Sequence, residues 1–484
     1  MASPAARRGM MAFTVGNAVA QAAALLRYML LARLLGPTQL GLAATLILTA
    51  QFFEQITDAG LDRYLVQSRE GNRGAVGRAI HLAIILRGLL IGGAIALSAP
   101  LIAGFFGHAG LADGLRLLAL APVIGGFVHL DYRRVQRHHH FGPEGVLTAI
   151  SEIASLIALI VAALVLRSYV AIAIALVTRA AAQVALSHRL ARRPYRLGLP
   201  GAHGRAMAAF GLPLVLNGVL LFLGGQGDRL IIGSRLGPTD LGHYSAIILL
   251  IFYPATILSR QLQSLHLPTL AAARNDAQAQ AREIASVGGQ AVVIAILMAI
   301  GFALVAPLAV PLIYGSRFAA PALLIAIVGM LQAARFVRLW PTVVSLAAGR
   351  SGNLLVNSIV RLAAFPIALL LAPYWGLPGI VAGFIAGEFV AFAASMLLLH
   401  RGGLGRPAQD WSRIALLGVC FVAVAGLVAG TTQGRTDWLV AGIVAATAAA
   451  AWLAMRERAA IASLLDVVRR RMPGIARRIA PRRS

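Results

Sequence analysis

Arginines inside long apolar segments are the residues of this sequence best suited to chemistry. An arginine at the middle of a membrane-spanning helix costs at least ~2.5 kcal/mol on insertion scales, so it normally faces water or a partner. The planar guanidinium forms paired hydrogen bonds with oxyanions and stays charged at physiological pH. The candidates for binding an anion are therefore Arg27, Arg87, Arg335, Arg338 and Arg361.

These arginines also have structural interpretations. Arg27 could form an ion pair with an acidic residue on a neighbouring span. Arg335 and Arg338 are three positions apart, which places them on one helix face, where they could grip one anion together. They could equally be topology charges that extend to the membrane surface. Arg179 is interpreted as such a topology charge.

Acidic residues in the apolar segments are candidates for ion coupling or charge pairing: Glu54, Asp58, Glu152, Asp228 and Glu388. Glu54 and Asp58 are four positions apart on one helix face, and pairing with Arg27 is favoured because an unpaired buried carboxylate would protonate. The alternative is a titrating ion-coupling site. Glu152 and Glu388 are predicted to be lone acids that could relay protons. Asp228, next to Arg229, is predicted to have a structural role.

Composition places these charges in a membrane. The chain of 484 residues is 59% hydrophobic and 12% charged, with a mean hydropathy of +0.80. A soluble core could not bury this much apolar surface, so the chain is predicted to be an all-α polytopic membrane protein. The net charge is +26, and all of the positive side-chain charge is carried by arginine because the sequence has no lysine. Since these arginines cluster between apolar segments, they indicate topology rather than nucleic-acid binding.

About fourteen segments are long and apolar enough to span a membrane, and all should be helices. Merging or losing the last pair would give twelve. With the first residues inside, 30 arginines fall on the cytoplasmic side and 5 on the other, which predicts both termini in the cytoplasm. The predicted spans are 10–33, 39–60, 77–99, 113–132, 144–166, 168–188, 206–232, 240–262, 284–306, 320–346, 353–373, 376–399, 411–430 and 436–454.

A repeated heptapeptide organises these spans. Leu35-Gly36-Pro37-Thr38-Gln39-Leu40-Gly41 returns as Leu236-Gly237-Pro238-Thr239-Asp240-Leu241-Gly242. Each Gly-Pro pair should end one helix, and the following threonine could cap the next. Both copies follow equivalent spans, which predicts two parallel repeats. The predicted divisions are an N-terminal six-helix bundle (1–200), a C-terminal six-helix bundle (201–405), two additional helices (406–455) and a basic cytoplasmic tail (456–484).

Several enzyme classes lack support in the sequence. It has no nucleotide-binding glycine loop, no Ser/His/Asp set and no outside loop large enough for a catalytic domain. A non-enzymatic transporter without a cofactor is therefore predicted. The run His138-His139-His140 is not interpreted as a metal site, because consecutive side chains diverge and no cysteine is near.

The order of motifs resembles Wzx-type polysaccharide flippases of the multidrug/oligosaccharidyl-lipid/polysaccharide (MOP) exporter superfamily. The resemblance rests on Ala32-Arg33-Leu34-Leu35-Gly36-Pro37, on Asp58-Ala59-Gly60-Leu61, on Gly211-Leu212-Pro213 and on Gly227-Asp228-Arg229-Leu230-Ile231-Ile232-Gly233. It covers roughly residues 10 to 400.

This resemblance implies a MATE-like fold with a central cavity, in the inner membrane of a bacterium. The implied partners are a polyprenyl diphosphate-linked oligosaccharide, membrane lipids, and a polysaccharide polymerase with other assembly proteins. The five candidate arginines would then bind the diphosphate or an anionic sugar. Alternatives are a flippase for the peptidoglycan lipid precursor and a MATE-like drug antiporter. A membrane-embedded glycosyltransferase or polymerase and a non-transporting scaffold fit the sequence less well.

Overall fold

A computed structural model describes residues 4–68, 70, 73–137, 139–199, 201, 204–350, 352–458 and 460–462. Within these residues the regular structure is entirely helical, as the sequence predicts. His138 and most of the predicted basic tail, residues 463–484, lie outside the described residues.

Among the described residues, the first half of the chain contains ten helices. Their bounds are α1 Pro4–Leu35, α2 Pro37–Ile56, α3 Leu61–Gln67, α4 Gly74–Phe105, α5 Leu111–Leu118, α6 Leu120–Gly125, α7 Asp131–Gln136, α8 Gly142–Leu166, α9 Val170–Leu190 and α10 Gly204–Arg235.

Within its described ranges, the second half adds eight helices and three short 3-10 turns. The helices are α11 Pro238–Ala272, α12 Ala277–Tyr314, α13 Ala322–Val337, α14 Leu339–Ala347, α15 Gly352–Val360, α16 Ala364–Arg401, α17 Pro407–Gln433 and α18 Thr436–Arg456. The 3-10 turns are Ala273–Asn275, Ser316–Phe318 and Arg361–Ala363.

Eleven stretches of the described chain are long and apolar enough to cross a membrane, or twelve if the bent pair α2 and α3 is one span. The sequence predicts fourteen, and the difference arises where helices break or join. The predicted span 113–132 is divided between the short helices α5 and α6. The predicted spans 353–373 and 376–399 lie in one continuous stretch, Gly352–Arg401, which bends at Gly376.

Glycines with positive φ angles set two of these breaks. Gly60 adopts a left-handed conformation, with φ 59°, between α2 and α3, and the two helices meet at an angle of 47°. Gly376 has φ 58° and ψ −132° within α16. A residue with a Cβ atom rarely adopts such backbone angles, so glycine is the residue suited to both positions.

The first of two compact units comprises the chain up to Ser245 together with Ile313–Phe318. Within it, α8 packs against α1 and α9, α4 packs against α5 and α6, and α10 packs against α2. This grouping includes α10, which the sequence-based division assigns to the second bundle. The division into bundles at residue 200 stays a prediction.

The second unit comprises Ala246–Leu312 and the chain from Ala319 onward. Helix α13 packs against α16 and α17, and α17 packs against α18. Trp340 is fully buried in its core and contacts Phe392, with the ring centroids 5.8 Å apart. This apolar core fixes the helices that carry the arginines of the second unit.

Candidate functional site

A polar cavity of about 410 Å³ lies inside the first unit, within walls contributed by α1, α2, α4, α5, α6 and α9. We call it the first-unit cavity. A water molecule in the liquid occupies about 30 Å³, so the space is large enough for a hydrated anion. Its polar lining residues are Arg27, Tyr28, Gln51, Glu54, Arg87, Arg179 and Gln183.

Arg27 is held in this wall by hydrogen bonds to α8. Its Nη1 atom donates to Oε2 of Glu152 at 2.7 Å and to Oγ of Ser155 at 2.8 Å. Arg179 on α9 donates from Nη1 to Oε1 of the same carboxylate at 3.0 Å. Two guanidinium groups therefore share one buried carboxylate, and this group of three side chains has a net charge of +1.

These contacts correct three expectations from the sequence. Glu152 is not a lone acid, because it holds two arginines. Arg179 is part of the cavity wall and not merely a topology charge. The partner of Arg27 is Glu152 instead of Glu54 or Asp58, because the packing of α1 on α8 brings these two side chains together.

Arg87 lies in the cavity wall without a carboxylate partner among the described residues. Its Nε atom donates to Oγ1 of Thr57 at 3.1 Å, and its Nη2 atom donates to the backbone oxygen of Glu54 at 2.7 Å. Hydrogen bonds to neutral oxygens orient the guanidinium but leave its charge uncompensated. Arg87 is thus the cavity arginine best placed to attract an anion.

Glu54 lies in the last turn of α2, which ends at Ile56, whereas Asp58 follows the helix, so the expectation that the two share one helix face is wrong. The side chain of Glu54 is exposed and lines the first-unit cavity. Asp58 accepts the backbone N–H of Gly60 at 3.0 Å and pairs with the exposed Arg63 at 3.4 Å. Asp58 therefore stabilises the bend between α2 and α3.

Asp228 has the structural surroundings expected from the sequence. Its side chain is fully buried and accepts a hydrogen bond from the hydroxyl group of Tyr244, which links α10 to α11. It also accepts the backbone N–H of Arg229 at 2.9 Å. The neighbouring guanidinium of Arg229 donates to Gln226 instead, so the two adjacent charges have different partners.

Three arginines of the second unit converge on one acid, Glu388 of α16. The distances to its carboxylate oxygens are 2.8 Å from Nε of Arg338, 2.6 Å from Nη2 of Arg361 and 3.4 Å from Nε of Arg335. Arg338 also donates to the side-chain oxygen of Asn357 at 2.6 Å. We call these three arginines and Glu388 the Glu388 cluster.

The Glu388 cluster has a net charge of +2, because three guanidinium groups surround one carboxylate. Arg335 and Arg338 do contact one anion together, as the sequence suggested, but this anion is the carboxylate of Glu388. The expectation that Glu388 is a lone acid is wrong, because α13 and the turn at Arg361 bring arginines to it. Burial makes the surplus positive charge costly to leave without a counter-ion.

Sequence reasoning missed Tyr28, Gln51, Arg179 and Gln183 as part of the cavity. Arg179 carried the same signal as Arg27, a charge within an apolar segment, because it lies near the middle of the predicted span 168–188, but it was interpreted as a topology charge. The uncharged polar residues carried no such signal. Among the described residues, no group of three His, Cys, Asp or Glu side chains is arranged to hold a metal ion.

The sequence matches a family of known proteins. Residues 30–322 match the family described as "Polysaccharide biosynthesis protein". Among curated proteins, no sequence matches this chain.

Solved structures show what the fold resembles. The Lipid II flippase MurJ in an inward closed conformation has a TM-score of 0.68 at 11% sequence identity, covering 90% of this chain and 97% of that one. An inward-facing MATE family multidrug resistance transporter of the MOP superfamily has a TM-score of 0.64 at 13% identity, covering 82% and 94%. A MOP superfamily transporter from Pyrococcus furiosus has a TM-score of 0.51 at 15% identity, covering 86% and 96%.

Proposed function

Because the chain belongs to the family of polysaccharide biosynthesis proteins, we propose that it moves a polyprenyl diphosphate-linked oligosaccharide across a bacterial inner membrane. The direction would be from the cytoplasmic to the periplasmic leaflet, by alternating access, in the synthesis of a surface polysaccharide. In this proposal the protein is a flippase and not an enzyme, both termini lie in the cytoplasm, and a polysaccharide polymerase uses the delivered substrate.

The observation that carries the proposal is the surplus of arginine at the polar positions of both units. Arg27, Arg87 and Arg179 outnumber the single carboxylate in the lining of the first-unit cavity, which belongs to Glu54. The Glu388 cluster adds a net charge of +2 in the second unit. A diphosphate has the negative charge and the oxygen geometry that guanidinium groups bind best.

Arg87 is proposed as the primary contact for the diphosphate, because its charge has no carboxylate partner in the described chain. Arg27 and Arg179 would add a second positive region, since Glu152 compensates only one of them. Glu54 is proposed as the ion-coupling group, because its carboxylate is exposed inside the same cavity. Protonation of Glu54 would make the cavity more positive and so strengthen anion binding.

Complementation of a strain lacking its own surface-polysaccharide flippase tests this function. Wild type should restore polymer, and Arg87→Ala should reduce the rate about tenfold or more, because charge-assisted hydrogen bonds are lost. Arg87→Lys should retain part of the activity through its charge. Arg116→Ala is the matched control, because Arg116 forms an exposed pair with Asp113 outside the first-unit cavity. Full polymer production by Arg87→Ala at equal protein level would remove Arg87 from the mechanism.

The alternative cargoes give different results in the same kind of assay. A drug antiporter would bind cations, which this surplus of arginine disfavours. The peptidoglycan lipid precursor also carries a diphosphate, so charge alone does not distinguish it. Rescue of a strain that lacks the peptidoglycan-precursor flippase, without rescue of the polysaccharide strain, would favour that alternative.

A further inference from the structure

A second basic cavity, of about 170 Å³, lies in the first unit and shares no lining residue with the first-unit cavity. We call it the arginine pocket. It lies where the start of α4, the turn before α7 and the segment after α9 meet. Its charged lining residues are Arg73, Arg78, Arg134, Arg193, Arg196 and Asp131.

The charge of this pocket is strongly positive. Asp131 accepts a hydrogen bond from Nε of Arg134 at 2.6 Å, and Glu70 pairs with Arg73 at 2.7 Å. Five arginines thus face two carboxylates, which leaves a net charge of +3. The guanidinium of Arg78 has no ion pair within the part of the chain that the structure describes. Such a surplus within a concave wall attracts an anion.

Two histidines fix the backbone that carries the pocket arginines. His81 has Nδ1 3.3 Å from the backbone oxygen of Arg196, and its Nε2 atom accepts the N–H of Leu130 at 3.2 Å. His129 has Nε2 2.9 Å from the backbone oxygen of Arg193. Because each ring bonds a carbonyl group of the segment after α9, this segment is held against α4 and the turn.

Further bonds complete this framework. Nδ1 of His129 accepts the N–H of Asp131 at 3.1 Å, and the carboxylate of Asp131 accepts the N–H of Arg192 at 2.8 Å. Each histidine ring therefore uses one nitrogen as donor and one as acceptor, which is the pattern of a neutral imidazole. The backbone of the pocket is ordered before any ligand arrives, which lowers the entropic cost of binding.

The start of α4 adds to the attraction for an anion. Helix α4 is 32 residues long and begins at Gly74, which lines the pocket, and no side chain caps it. The first N–H groups of a helix lack partners within it and carry partial positive charge. They supplement the arginines, which provide the main charge.

We propose that the arginine pocket binds a phosphate group with two or more negative charges, either a phosphomonoester or a diphosphate. The volume of about 170 Å³ suits such a group but not a whole nucleotide or oligosaccharide. The phosphate can belong to a lipid headgroup or to a free compound, since both present the same oxygens. The pocket is independent of the proposed transport function, and the expected topology places it on the cytoplasmic side.

Gly77 allows the pocket to be blocked with little strain. It lines the pocket, and a Cβ atom added there would meet nothing within 4 Å. Gly77→Leu should therefore fill the space that the ligand needs. Gly93→Leu is the matched control, because Gly93 is an exposed residue of the same helix, is equally open, and lies outside the pocket.

The test is calorimetric titration of the purified full chain in detergent with inorganic diphosphate. Wild type and Gly93→Leu should bind equally. Gly77→Leu and the double variant Arg78→Gln with Arg196→Gln should raise the Kd at least about tenfold. Arg87→Ala identifies any separate binding in the first-unit cavity. The proposal would be overturned if wild type did not bind diphosphate. It would also be overturned if the folded Gly77→Leu and double variants bound diphosphate as tightly as wild type does.

Competition then identifies the source of the phosphate. The chain is placed in nanodiscs of phosphatidylcholine with or without phosphatidic acid, and diphosphate binding is measured in each. If phosphatidic acid weakens the apparent affinity of wild type for diphosphate but has no such effect on Gly77→Leu, a lipid headgroup occupies the pocket. Equal affinity in both lipids supports a free phosphate compound.

Discussion

The hydroxyl groups of Thr38 and Thr239, 201 positions apart in the chain, lie 2.8 Å from each other and share a hydrogen bond. They occupy the same position in the two copies of the repeated heptapeptide. The sequence suggested that each threonine caps its own helix, but no side chain caps α2, and Thr38 bonds to the other copy. The two copies of the heptapeptide therefore contact each other.

Glycines make this contact close. A Cβ atom at Gly41 would overlap the backbone oxygen of Pro238, and one at Gly242 would overlap that of Pro37. We predict that Gly41→Ala and Gly242→Ala each lower the free energy of unfolding by about 1–3 kcal/mol, because neither backbone can easily move aside. Gly93→Ala, at an open position of α4, is the control. Thermal unfolding in detergent measures the effect, and unchanged stability of both variants would contradict the contact.

The ion pair of Arg27 and Glu152 should behave as a buried pair. Glu152→Gln leaves Arg27 and Arg179 without their shared carboxylate, so the free energy of unfolding should fall by about 3–5 kcal/mol. Adding Arg27→Gln should recover part of this loss, because one of the two uncompensated charges is removed. A double-mutant cycle from unfolding in denaturant measures the coupling. Additive losses would show that the two side chains do not interact.

In the second unit, Arg413 and Glu457 form a buried bidentate pair. The two bonds measure 2.6 and 2.8 Å, and the guanidinium lies 5.8 Å from the ring centre of Trp340. Arg413→Met should lower the free energy of unfolding by about 3–5 kcal/mol, since Glu457 would remain buried without its partner. Adding Glu457→Met should restore most of the stability.

The exposed pair of Arg435 and Asp437 provides the control for that prediction. It has a similar distance, 2.8 Å, but both side chains are more than half exposed. Because water screens an exposed pair, Arg435→Met should change stability little. Equal effects of Arg413→Met and Arg435→Met in thermal unfolding would show that burial does not decide the strength of these pairs.

Asp276 should link stability to pH at the start of α12. Its Oδ1 atom accepts the backbone N–H groups of Ala279 at 3.0 Å and Gln278 at 2.9 Å, and these bonds hold the pKa of the carboxyl group below its ordinary value of 3.8. Because the folded state favours the charged form, its contribution is present above pH 3.8 and is lost as the pH falls through the lowered pKa.

The measurement compares the unfolding temperatures of wild type and Asp276→Ala over pH. The difference should be constant above about pH 5, where the carboxyl group is ionised in both states, and should narrow as the pH falls below 3.8. Asp276→Asn keeps an oxygen acceptor that does not titrate. Its unfolding temperature should therefore exceed that of Asp276→Ala by an amount that does not change with pH. A difference that grows at low pH would contradict the assignment.

Hydropathy predicted most of the fold. It is a local property, so the sequence alone identified an all-helical membrane chain and most of its spans, whereas the sidedness indicated by the arginines stays a prediction. The count of fourteen differed from the structure where Gly60 and Gly376 bend the chain and where α5 and α6 divide one predicted span. Hydropathy averaged over a window does not register such breaks, because a bend changes direction and not composition.

The sequence by itself also determined which charges are costly, because an arginine or glutamate within an apolar segment must find water or a partner. Only the tertiary structure decided what those partners are. Glu152 holds Arg27 and Arg179, and Glu388 holds three arginines, because helix packing brings side chains far apart in the chain within hydrogen-bonding distance. Spacing along the chain fixes the face of one helix, whereas pairing depends on which helices become neighbours.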